Sequence, residues 1–178
     1  MARPRLTGIL LVGGASTRFG SPKALARLGD ATLAEHAWQV LGGACEERLA
    51  VGKRADELVL PFELVDDGVE TRAALAGIVA GLRAATTELV VVLPVDTPLV
   101  TPDVLHELAK ACADAAVTQT GPLPAAFRKT ALPVLALRLA TQELALHEAL
   151  AELETRQIQV DEALLANVNT HDELRRLG

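Results

Sequence analysis

Residues Leu10 to Lys23 read L-L-V-G-G-A-S-T-R-F-G-S-P-K. An apolar strand runs straight into a loop with two adjacent glycines, a serine, an arginine, a third glycine and a lysine. Gly13, Gly14 and Gly20 let backbone N–H groups approach phosphate oxygens without a Cβ in the way. Arg18 and Lys23 supply positive charge that does not depend on backbone geometry. The stretch reads as a strand feeding a nucleoside triphosphate site, with Ser16 inside the loop. The alternative is an ordinary strand-to-helix turn rich in small residues. The two commonest glycine-rich loops are excluded, because Lys23 does not directly follow a glycine and no G-x-G-x-x-G occurs here. Arg18 stands where a nucleophile elbow around Ser16 needs its closing glycine.

Working outward, apolar runs alternate with helical patterns. The runs are Leu6–Val12, Arg48–Val51, Glu63–Val65 and Leu89–Pro94, with weaker ones at Ala115–Thr118, Pro124–Phe127 and Ile158–Val160. Thr32 and Glu35 form a capping box for a helix ending at Gly42-Gly43. Helical spacing also covers Thr71–Ala85, Ala131–Leu139 and Gln142–Leu153. Thr101-Pro102-Asp103 predicts an N-cap with proline at the first helical position and a helix to about Ala113. Thr170 caps a short terminal helix through Leu177. Such alternation predicts one α/β domain, a mostly parallel sheet with helices on both faces. Val90–Pro94 is apolar throughout, as a central strand buried on both faces requires. No linker, repeat or low-complexity segment divides the chain.

The 178 residues suffice for one domain with a sizeable core. Aromatic residues make up only 2%, so the core must come from Leu, Val, Ile and Ala. A net charge of −6 argues against a nucleic-acid partner, and the scarcity of aromatics argues against a base-stacking platform. Cys45 and Cys112 are far apart and read as reduced thiols of a cytoplasmic protein. The four histidines are scattered, which disfavours zinc. Arg3 and Arg5 before Ile9–Val12 imitate a signal peptide, but the apolar stretch is too brief. No segment reads as membrane-spanning.

In parallel α/β sheets ligands sit beyond the carboxyl ends of the strands. The Gly13–Lys23 loop occupies one such end and Val95-Asp96-Thr97-Pro98 another. Asp96 is therefore a candidate ligand of Mg²⁺, which needs only one or two carboxylates beside phosphate oxygens and waters. A turn-forming aspartate is the competing reading. Asp66-Asp67 also follows a strand, either to meet ribose hydroxyls or as a solvated acidic loop. Asn167 and Asn169 bracket a valine, so an extended segment presents both amides on one side. Taken by themselves they read better as an asparagine-rich turn before the Thr170 cap.

The loop G-G-A-S-T-R-F-G-S-P-K, the segment P-V-D-T-P and the terminal N-V-N-T together resemble the molybdenum cofactor guanylyltransferases, the MobA-like nucleotidyltransferases. Leu75-Ala76-Gly77-Ile78 and Pro122–Pro133 extend the resemblance, in the family's order, over nearly the whole chain. It implies a Rossmann-like three-layer α/β/α sandwich of the nucleotide-diphospho-sugar transferase type. The implied reaction transfers GMP from GTP to molybdopterin and releases pyrophosphate. Leu11, Val12, Gly13, Gly14 and Ser16 would meet the nucleotide and Lys23 its phosphates. Asp66, chosen over Asp67 by its distance to Leu75-Ala76-Gly77, would contact the nucleoside. Asp96 would hold Mg²⁺, Asn167 and Asn169 would serve the pterin side, and Arg18, Lys23 and Asp96 would carry catalysis. Transient contact with other cofactor-biosynthesis proteins or acceptor molybdoenzymes is implied as well. The chain departs from the family at Ala50–Arg54, where an asparagine often helps to read guanine. Ala73-Ala74 replaces the usual Gly-Pro, Pro22 stands where Asp is common, and His171 where Pro often follows N-V-N-T. A cytidylyltransferase, a sugar- or polyol-phosphate nucleotidyltransferase, a nucleotide-binding regulator and a docking protein for cofactor delivery are the competing readings.

Overall fold

The computed structural model describes residues 4–13 and 19–178. Its spine is β1 (Leu6–Leu11), buried at every position. A two-stranded hairpin, β2 (Arg27–Leu28) and β3 (Ala31–Thr32), leads into α1 (Leu33–Ala44). The capping box expected of Thr32 and Glu35 is present in both directions. Then come β4 (Glu47–Gly52), β5 (Leu64–Asp66), α2 (Ala74–Ala84) and β6 (Leu89–Pro94). The second half contains α3 (Pro102–Ala111), β7 (Ala115–Thr118), β8 (Gly121–Arg128), α4 (Leu132–Ala140), α5 (Leu146–Ala151), β9 (Thr155–Ile158) and α6 (His171–Arg175).

The sheet has seven strands in the order β5-β4-β1-β6-β8-β7-β9. β8 runs antiparallel to both its neighbours, and the remaining pairs are parallel. Alternate side chains of a strand face opposite layers, and the burial follows that parity. Leu6 and Leu10 of β1, with Val91 and Leu93 of β6, join α1, α3 and α6 in one core. Ile9 and Leu11, with Val90 and Val92, join α2, α4 and α5 in the other. The architecture is the expected three-layer α/β/α sandwich. Helix α2 lies close against β1 because Gly77 and Gly81 carry no Cβ. One added at Gly77 would stand 2.6 Å from a methyl group of Leu11.

Several boundaries differ from the sequence expectation, each for a local reason. Helix α2 starts at Ala74 and not at Thr71, because the carbonyls of Val69 and Thr71 are bonded to Lys53. Helix α5 starts at Leu146 and not at Gln142, whose φ of 60° ends α4 in the left-handed region. Thr101 precedes α3 in extended conformation but makes no side-chain cap bond, so Pro102 alone marks that start. β9 covers Thr155–Ile158, earlier than the expected Ile158–Val160, as a half-exposed strand pairing with β7. Cys45 and Cys112 are unpaired. Burial pushes their thiols up to about 12 and about 11, so neither is a thiolate at neutral pH. Among the described residues, no helix is long and apolar enough to cross a membrane.

Candidate active site

The strand order reverses on either side of β1: the chain builds β4 and β5 on one side, then returns to lay β6 on the other. A crevice opens at such a switch point, beyond the carboxyl ends of the strands. Here it is a cleft of about 340 Å³, whose lining includes Val12 and Gly13 after β1, Lys53 after β4, and Asp96 after β6. A larger hollow of about 740 Å³ lies near Pro4, Leu6, Glu46 and Leu89 at the strands' starts. The chemistry favours the smaller cleft, where Lys23, Lys53, Asp67 and Asp96 converge.

At the end of the cleft beside β1, the Val12 N–H donates to the Val51 carbonyl at 3.1 Å and carries the β1 direction to Gly13. Leu11, Val12 and Gly13 all line the cleft. Gly14, Ser16 and Arg18 lie outside the described residues. Phe19 is buried, and Gly20 turns the chain with a φ of 69° that glycine takes without strain. Lys23 then opens a single 3₁₀ turn whose Ala24 is buried. That turn aims the ammonium back at the sheet edge, 3.9 Å from an Asp96 oxygen and 3.3 Å from Asn169 Oδ1.

Asp96 is held by its own backbone: the Val168 N–H donates to its carbonyl at 2.7 Å. Burial pushes its carboxyl above the usual carboxylate range, opposed by Lys23 and by its own backbone N–H. Val168 is buried in the core, which leaves Asn169 half-buried beside Lys23 and Asn167 exposed. The C-terminal segment is fastened again at His171, whose Nε2–H donates to the Phe19 carbonyl at 3.0 Å and whose ring packs 4.1 Å from the Phe19 ring. Three segments distant in sequence, around Lys23, Asp96 and Asn169, thus meet in one place.

The far end of the cleft is built differently from the expectation. Asp66 is absent from the lining, because its carboxylate accepts the N–H groups of Arg54 and Gly68 at 2.7 Å each. Those bonds, the Arg54 amide first, hold its pKa below the usual range. Asp67 stands in the lining instead, with both oxygens 2.8 Å from Lys53 Nζ. Arg72 also lines the cleft, in a two-pronged pair with Asp56. Sequence reasoning missed Lys53 and Arg72. The available signal was position: Lys53 directly follows β4 as Val12 directly follows β1, so both stand at the carboxyl edge of the sheet.

A cation-binding role for Asp96 has its own structural test. Its carboxylate is partly desolvated, with the side chain 31% exposed, and it borders the same cleft as Gly13 and Lys23. Among the described residues no group of three His, Cys, Asp or Glu side chains stands together. A lone carboxylate of this kind suits Mg²⁺, which draws most of its ligands from phosphates and water.

The MobA-like NTP transferase domain model matches residues 8–158. A molybdenum cofactor guanylyltransferase of Burkholderia vietnamiensis is 34% identical over 197 residues, covering 98% of this chain and 96% of that protein. A probable molybdenum cofactor guanylyltransferase of Flavobacterium johnsoniae is 29% identical, covering 97% of this chain and 96% of that protein. Among solved structures, molybdopterin-guanine dinucleotide biosynthesis protein A from Archaeoglobus fulgidus superposes with a TM-score of 0.82 at 27% identity. It covers 96% of each chain.

Proposed function

The chain belongs to the MobA-like NTP transferase family, and from that premise we propose that it transfers GMP from GTP to the terminal phosphate of molybdopterin. The observation that carries this reading is the meeting of Lys23, Asp96 and Asn169 beside the phosphate loop at the switch point. Its support from relatives is the guanylyltransferase name borne by the Burkholderia and Flavobacterium proteins.

An oxygen of the pterin phosphate attacks the α-phosphorus of GTP in line. The bond from that phosphorus to the bridging oxygen breaks, and pyrophosphate leaves with the electron pair. A phosphate monoester has a second pKa of about 6, so the nucleophile is ionised at neutral pH and needs no base. The barrier is then electrostatic, since two anions meet and a third departs. Lys23 sets a positive charge at the phosphate end of the cleft, with Arg18 and the amides at Gly13, Gly14 and Ser16 assigned to the same task. Asp96 would hold Mg²⁺, which supplies charge neutralisation on phosphate oxygens when bound. Asn169 positions the Lys23 ammonium through its amide oxygen, and Asn167 is assigned with it to the acceptor side. Asp66 belongs to this reading as a support for the loop at the nucleoside end.

The reading places the chain in the cytosol, in keeping with two unpaired cysteines. Because Lys53 occupies the segment where family members often carry asparagine, CTP is the competing donor. Pyrophosphate release is the test, with molybdopterin, Mg²⁺ and each of the four nucleoside triphosphates in turn. Release with GTP alone is expected. Release with CTP alone overturns the guanylyl assignment, and no release with any of them overturns the transferase reading.

A further inference from the structure

We infer that Lys53 and Asp67 form a positioning pair that builds the nucleoside wall of the cleft, Lys53 bracing the wall and not reading the base. The inference rests on the nucleotide-transfer reading of this same site. Lysine ordinarily keeps its ammonium in water and buries only its stem. Lys53 is 8% exposed, and its head group points inward. Its Nζ donates to both oxygens of Asp67 at 2.8 Å, to the Val69 carbonyl and to the Thr71 carbonyl at 2.7 Å. An ammonium has three protons. The Asp67 carboxylate and the two carbonyls use all of them, so Lys53 cannot donate to a ligand without releasing a strut.

The segment braced in this way is residues 67–73, which links β5 to α2 and contains no helix or strand. Asp67, Arg72 and Ala73 of this segment line the cleft. Two of its carbonyls converge on one ammonium, and Asp67 Oδ1 also accepts the Val69 N–H at 3.2 Å. The Asp67 N–H donates back to the Gly52 carbonyl at 2.9 Å, beside Lys53 itself. Side chain and backbone thus clasp the segment to the end of β4 on both sides of the pair. The wall holds its shape through a charge pair where its own backbone ladder is absent.

Breaking a buried ion pair from one side strands the other charge, whereas replacing both partners with apolar groups is often neutral for stability. This asymmetry separates positioning from mere structural support. The test compares wild type, Lys53→Met and Lys53→Met/Asp67→Leu. GTP affinity is measured by calorimetry with Mg²⁺, steady-state pyrophosphate release gives KM and kcat, and Tm reports stability. Lys53→Met is expected to weaken GTP binding and raise KM by at least about tenfold while kcat at saturation stays within about threefold, the pattern of lost uniform binding. In the double variant Tm is expected to recover towards wild type while the affinity stays weak. Wild-type affinity in Lys53→Met, or joint recovery of Tm and affinity in the double variant, overturns the inference. If the wild-type protein binds no nucleoside triphosphate, the nucleotide reading itself has failed, which is a different result from an unaffected variant.

Discussion

Asp96→Asn separates the energetic role of this carboxylate in folding from the role in catalysis proposed for it. The substitution keeps shape and removes charge. The Lys23 partner lies 3.9 Å away, where two unit charges attract by about 4 kcal/mol at an effective dielectric of 20 and about 1 kcal/mol in water. The side chains are 18% and 31% exposed, and pairs open to solvent typically contribute about 0–1 kcal/mol. Burial outweighs this attraction, because the carboxyl is displaced upward in spite of Lys23. A carboxyl whose pKa is higher folded than unfolded favours folding fully below the unfolded value, and loses that contribution as pH rises through the folded one. At pH 7 the ionised Asp96 therefore weighs against the fold. Asp96→Asn should have a higher Tm than wild type at pH 7, with the difference shrinking as pH falls into the carboxylate range. The same variant should lose about 10²–10³ in kcat, roughly 2.7–4 kcal/mol of transition-state stabilisation. Scanning calorimetry from pH 4 to 8 (roughly the window in which the sign must show) and pyrophosphate release measure both halves. A variant that is less stable at pH 7, or one that retains a near-wild-type rate, refutes the reasoning.

Lys23→Ala should lower kcat by about 10²–10³ with a small stability change, since its pair with Asp96 is partly screened; activity and Tm measured together check this. Gly77→Ala and Gly81→Ala gain the same helix propensity, so their difference isolates packing against β1. A Cβ at Gly81 meets the fully buried Ile9 at several atoms, whereas one at Gly77 comes closest to the end of the Leu11 side chain. Gly81→Ala should be the less stable by about 1–3 kcal/mol in urea unfolding, and equal stabilities would contradict the packing account. Thr170→Ala removes one half of the α6 capping box, whose other half is Glu173. It should cost about 1 kcal/mol, or about 2–4 °C in Tm for a chain of this size.

The layers and the ligand edge were legible because they depend on periodicity and on turn chemistry. Val90–Val92 declared a strand buried on both faces, and Thr32 with Glu35 declared the start of α1. The antiparallel course of β8 was not legible, since an apolar pattern carries no direction along the chain. The half-exposed strand β9 was misplaced because Thr155, Arg156 and Gln157 look like loop residues when only one neighbour pairs with them. At the site, the backbone bond from Val168 to Asp96 and the reach of Lys23 to Asn169 realise a convergence that sequence order only suggested. The choice between Asp66 and Asp67 was beyond spacing. Adjacent residues of an extended segment point to opposite sides, and here it is Asp67, paired with Lys53, that lines the cleft, while Asp66 accepts backbone amides. Lys53 escaped notice because a lysine after a strand ordinarily reads as a solvated end.

Transfer of a nucleotidyl group to a pterin phosphate would be read from the fate of labelled phosphate. GTP labelled at the α-phosphate and GTP labelled at the γ-phosphate would be incubated separately with the protein, Mg²⁺ and molybdopterin. Nucleotidyl transfer puts α-label in the pterin product and γ-label in pyrophosphate. Label from the γ-phosphate in the pterin, or release of inorganic phosphate without transfer, would contradict it.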